Sequence, residues 1–144
     1  MKFIFILLLF LLSTTANVIP NEDDFQAAKL FIQQLNVHND IKTIADNQGE
    51  IVYPLPNTTW HVGELVNVTF ETKQPQQVVS IFFFGDNHIL AGGPLSKTVF
   101  PFTVPSEAVS GAAQNETSLL LAVRRLNSYL QTVDSVVVRV LPPQ

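Results

Sequence analysis

The sequence predicts an all-β protein: a seven-stranded antiparallel Ig-like β-sandwich with a short N-terminal helix. Three observations lead there. From Gly49 onward, apolar and polar residues alternate with a period of two. Turn residues interrupt that alternation roughly every 10–15 residues, which leaves no helical crossover for a parallel sheet. A helical period of 3.6 is confined to one stretch, DDFQAAKLFIQQLN, upstream of the strands.

The chain opens with MKFIFILLLFLLSTTA: Lys2, an unbroken apolar run over residues 3–12, then small residues with Thr14 and Ala16 spaced like the −3 and −1 positions of a signal-peptidase site. This is the three-part pattern of a secretory signal, and the run is too short to span a bilayer. The expected division is a signal peptide over 1–16, an N-terminal helix and linker over 17–48, and the sandwich over 49–144. Cleavage after Ala16 gives a mature chain of 128 residues, and losing Lys2 leaves seven basic groups against twelve acidic ones, a net charge of −5.

In DDFQAAKLFIQQLN, residues Phe25, Ala28, Phe31, Ile32 and Leu35 share one side of a helical projection, and Asp23 and Asp24 suit its N-terminal end. The expectation is an amphipathic helix packed on the domain, with a cleaved or mobile pro-segment as the alternative. NVHNDIKTIADNQG is polar and aperiodic and reads as a linker. GEIVYPLP is the first strand, ended by prolines. In LVNVTFE, Val66, Val68 and Phe70 point one way and Asn67, Thr69 and Glu71 the other. VVSIFFFG is the third strand and HILA the fourth, ended by Gly92-Gly93-Pro94. KTVFPFTVP is the fifth, placed at a sheet edge or bulge because Pro101 has no amide to donate. TSLLLAVRRL is the sixth, although its composition also suits a helix, and DSVVVRVLP the seventh, with Val136, Val138 and Val140 on one face.

Phe82, Phe83 and Phe84 are consecutive. Alternation sends Phe83 with Ile81 and Val79 to one face and Phe82 with Phe84 to the other, so the second face needs its own cover. The helix around residues 25–35 is the expected cover, with a partner surface or homodimer contact as the alternative.

The acidic balance, with Arg124-Arg125 the one adjacent basic pair, argues against nucleic acid, whose phosphates call for clustered cations. The absence of cysteine removes disulfides, thiol catalysis and thiolate metal sites. His38, His61 and His88 lack metal-ligand spacing, so neither metal nor cofactor is expected. Asp86-Asn87-His88 reads as a polar hairpin turn. Glu50, Glu64 and Glu71 could be imagined as a glycosidase pair, but Glu71 follows the alternation outward, and no catalytic residue is assigned. Arg124-Arg125, inside a strand, reads as surface charge at a strand end rather than a processing site.

Three Asn-x-Thr sequons stand at Asn57, Asn67 and Asn115 in a chain with a secretion pattern; Asn57 and Asn115 fall in turn regions and Asn67 on the polar side of an alternating strand, so N-glycosylation of at least two is expected. Trp60, the only tryptophan, is either a core plug at one end of the sandwich or a stacking platform for a sugar ring.

The order Ile51, Pro54, Trp60, Gly63, Val66, Val68, Phe70, then Val79 and Ile81, then Phe102, Val104 and Pro105 resembles the Ig-like N-terminal domain of fungal cell-wall synthesis proteins of the Kre/Knh type, associated with β-1,6-glucan assembly. The likeness covers residues 49–141 and is most specific at Trp60-x-x-Gly63 and Phe102-x-Val104-Pro105. It implies a non-enzymatic extracellular module associated with the fungal cell wall or β-glucan. Ending at LPPQ without an apolar tail, the chain is expected to be free rather than membrane-anchored. The partner is then a wall polysaccharide or, in the second reading, another extracellular protein met by an effector-like interaction module. An uncharacterised extracellular hydrolase ranks third. The oligomeric state is left open.

Overall fold

The computed structural model describes residues 24–37, 48–71, 73–86, 88–111 and 117–144. The signal sequence and its cleavage point, most of the linker, His38, Asn87 and Asn115 lie outside the described residues, as do the side chains of residues 35–37.

Among the described residues one helix, α1 (Asp24–Val37), precedes eight strands: β1 (Ile51–Tyr53), β2 (Thr58–His61), β3 (Leu65–Phe70), β4 (Val78–Phe83), β5 (Ala91–Pro94), β6 (Val99–Thr103), β7 (Ser118–Leu126) and β8 (Tyr129–Leu141). They form two sheets, β1-β3-β6 and β2-β8-β7-β4-β5. The all-β sandwich with an N-terminal helix is therefore correct, and the strand count is eight rather than seven.

The additional strand is β2, and it also breaks the expected antiparallel rule. Thr58 to His61 pair in parallel with Val138 to Leu141 at the sheet edge. The segment between Tyr53 and Thr58 carries the chain from the three-stranded sheet to the five-stranded one. Its direction beside β8 is thus set by that crossing and not by a hairpin. Four residues behind Pro54, Pro56 and Asn57 are too few for alternation to announce a strand. At the other end of β2, Gly63 turns the chain back toward β3 with φ of 86°, a region where a side chain would be strained. Its amide donates to the Val104 carbonyl at 2.9 Å.

The fourth strand is also corrected. Residues His88, Ile89 and Leu90 are not in a strand, and β5 consists of Ala91 and the supposed terminator Gly92-Gly93-Pro94. Glycine is required there by proximity: a Cβ on Gly92 would come within 2.7 Å of the Val79 carbonyl oxygen. Pro101 lies on β6, an edge strand, as its missing amide demands.

Two cores result. The larger lies between the sheets. It takes Val66, Val68 and Phe70 from β3, Val79, Ile81 and Phe83 from β4, and Val136, Val138 and Val140 from β8, among others. The smaller lies between the outer face of the five-stranded sheet and α1, and contains Ala28, Ile32, Phe82, Leu121, Val123 and Val133. The helix therefore does cover the second face of the phenylalanine strand, with Phe25 meeting Phe82 edge-on at 4.6 Å between centroids. A sheet covered on both sides needs apolar residues at every position, which is why SLLLAVRRL carries no strand alternation although it is a strand. The ion pair of Arg125 Nε with Asp24 Oδ1, 2.6 Å, ties the start of α1 to β7.

Candidate functional site

Trp60 sits on β2 opposite Val140, and only 1% of it is exposed. Its ring meets Phe102 edge-on at 5.7 Å and 83°. Stacking a sugar needs an open aromatic face, and this indole has none, so of the two expectations for Trp60 the core plug is the one the structure shows. Its Nε1 has no hydrogen-bond partner among the described residues.

Asn57 and Asn67 are both exposed, the first in the turn before β2 of the five-stranded sheet and the second on β3 of the three-stranded sheet. Asn57 precedes β2 in a left-handed conformation with φ of 65°, which asparagine tolerates, and its amide donates to the Val137 carbonyl at 2.7 Å. Asn67 is on the outward face of β3, opposite Pro101 on β6. Around it stand Leu65, 72% exposed, and Val99, also exposed.

The expectation that Arg124 supplies surface charge is overturned. On β7, Leu120, Ala122 and Arg124 share the inward face, so the arginine points between the sheets at the end of the sandwich away from Trp60. There it donates from Nε to Asp134 Oδ2 at 2.8 Å, from Nη2 to Asp134 Oδ1 at 3.1 Å and from Nη1 to Gln77 Oε1 at 2.8 Å. Glu50 Oε2 lies 3.5 Å from Nη1. Burial raises the Asp134 carboxyl above its ordinary pKa, and the hydrogen bond and charge of Arg124 only partly oppose this. Gly49 is left-handed and bare against this carboxylate, since a Cβ there would collide with it.

Glu50 and Asp134 are two neighbouring carboxylates, the kind of pair a glycosidase uses. Here Arg124 lies against both and Asp134 is 1% exposed, so a scissile bond has no place between them. Glu64 instead accepts the His61 amide at 2.9 Å, closing the Gly63 turn, and Glu71 is exposed as alternation requires. Among the described residues no cluster of three or more potential ligands could hold a metal.

A cleft of about 440 Å³ opens between the first turns of α1 and the end of β4. Phe25, Lys29, Phe82, Phe84 and Asp86 contribute to its walls. Phe82 is buried, but Phe84 passes beyond the cover of the helix and is 49% exposed, so the helix covers one of the two outward phenylalanines and leaves the other at the cleft. The Asp86 side chain is nine-tenths buried; its Oδ1 is hydrogen-bonded by His88 Nδ1 at 2.7 Å, while its Oδ2 has no partner among the described residues. That hydrogen bond, and then the charge of Asp86, raise the pKa of the exposed His88. Sequence reasoning missed this cleft, having read Asp86 and His88 as hairpin polarity. The signal available was Phe84, a third consecutive aromatic in excess of what one helix stripe can cover.

No family model matches the chain, and no curated protein sequence matches it. Among solved structures, the fibronectin(III)-like modules of Clostridium thermocellum CbhA are similar over 66% of this chain and 98% of theirs, at 16% identity and a TM-score of 0.49. The fold class rests on the two sheets described above and not on that likeness.

Proposed function

We propose that this chain is a secreted, non-enzymatic Ig-like module that associates with the fungal cell wall or its β-glucan. The observation that carries the extracellular part is the exposure of Asn57, in the turn before β2, and of Asn67, on β3, behind an N-terminal secretion pattern. Glycans at both positions would stand in water without disturbing either core. The binding part is supported by the sequence resemblance to the cell-wall synthesis family. The non-enzymatic part is supported by the Arg124 network, where the interior carboxylate of Asp134 is held by a cation rather than presented to a cleft.

The test is retention of the mature protein, secreted from a eukaryotic host, on insoluble β-glucan and on chitin, with a glycan array for linkage preference. Retention on β-glucan supports the reading, and a protein that passes through every polysaccharide removes it.

The second reading, an extracellular protein-interaction module, is favoured by the outward face of β3 and β6, where Leu65, Val99 and Pro101 are exposed around Asn67. A glycan on Asn67 would occupy the middle of that face. Co-purification of a protein partner only after enzymatic removal of that glycan would favour this second reading.

A further inference from the structure

We infer that the cleft between α1 and the end of β4 is a subsite for a neutral pyranose sugar, stacked on Phe84 and hydrogen-bonded through a hydroxyl to Asp86. The inference rests on the proposed association with glucan and moves its aromatic platform from Trp60, which is buried, to Phe84, which is not.

Two independent features coincide there. One is an aromatic surface: Phe84 is half exposed, and Phe25 and Phe82 line the same cleft. The other is an unmet acceptor. A carboxylate has two oxygens to satisfy, and among the described residues Asp86 has only one of them engaged, by His88. Leaving the other buried and unpaired is costly, so a ligand that supplies a donor to it gains that hydrogen bond.

The surrounding charges select the ligand class. An anion would meet the Asp86 carboxylate. A cation would meet the Lys29 ammonium on the cleft wall, and Asp86 Oδ1 is already taken by the His88 ring at 2.7 Å. What is missing is a hydrogen-bond donor carried on an apolar flank. A pyranose ring has C–H groups on its face and hydroxyls at its edge, and the Lys29 ammonium, with Gln26 beside it on the wall, can serve further hydroxyls. Asp86 Oδ2 is buried, so binding includes a side-chain rotation at Asp86.

The experiment is a titration of the full mature protein, followed by amide NMR shifts, with β-1,3-, β-1,6- and β-1,4-linked gluco-oligosaccharides, with tetramethylammonium as a cationic control. Shifts should centre on residues around Phe84 and Asp86 for at least one gluco-oligosaccharide. Phe84→Ala and Asp86→Asn should each weaken binding about ten- to a hundredfold, while Phe84→Trp retains it. All three alter a half-exposed ring or an isosteric side chain, and unchanged melting temperatures verify their folds. Undiminished glucan binding by folded Phe84→Ala and Asp86→Asn would overturn this subsite while leaving the proposed function standing. Failure of the wild type to bind any of the oligosaccharides or insoluble glucan would remove both. Binding of tetramethylammonium without sugar would make the cleft a cation site and also overturn the assignment.

Discussion

Asp134 holds an ionisable carboxylate inside the sandwich, gripped by two nitrogens of Arg124. Removing one partner of such a pair leaves the other charge buried alone. Asp134→Ala should therefore cost about 3–5 kcal/mol in urea denaturation. Replacing the whole set, as Arg124→Met with Asp134→Leu and Glu50→Gln, should recover most of that loss, because no charge is then left to desolvate. A wild-type midpoint for the single variant would show that the pair contributes nothing. The same residue predicts a pH effect. Burial raises the carboxyl above 3.8, so the folded protein binds this proton more tightly than the unfolded chain. The stability contributed by protonation is fully present below the unfolded value and is lost as pH rises through the folded one. The stability of wild type relative to Asp134→Asn should hence move in favour of wild type as the pH falls from neutrality toward the unfolded value. Movement in the opposite direction would mean that Arg124 outweighs burial.

The helix α1 contributes Ala28 and Ile32 to a core that otherwise consists of Phe82, Leu121, Val123 and Val133 on the back of the five-stranded sheet. Without it those four side chains would form an apolar patch on an open sheet face. Deletion of residues 17–36 should lower the melting temperature and give a protein that self-associates in size-exclusion chromatography. A truncated protein that stays monomeric and equally stable would remove the covering role. The helix was legible because its apolar spacing of 3.6 contrasts with the strands that follow. Its target was legible too, because consecutive phenylalanines cannot share a single sheet face. The bounds of β5 were not legible. Gly92, Gly93 and Pro94 have turn chemistry in isolation, and only the nearness of the Val79 carbonyl explains glycine in a paired strand.

At the scale of the molecule, the single tryptophan reports on the inter-sheet core, whereas far-UV circular dichroism reports on both sheets and the helix. Two sheets that share one interior should unfold together, so Trp60 emission and circular dichroism should give coincident denaturation curves. Separated midpoints would show that the helix layer melts independently of the sandwich. The amino-acid sequence by itself determined the all-β sandwich, the inward faces of β3 and β8, the choice of an edge or a bulge for Pro101 and the amphipathic helix, because each of these follows from local periodicity or from a missing backbone donor. Only the tertiary structure decided the parallel pairing of β2, the burial of Trp60 and Arg124, and the convergence of Phe25, Phe84 and Asp86 on one cleft. Those depend on which segments cross between sheets and meet at the sandwich ends, and the spacing of residues along a chain does not carry that information.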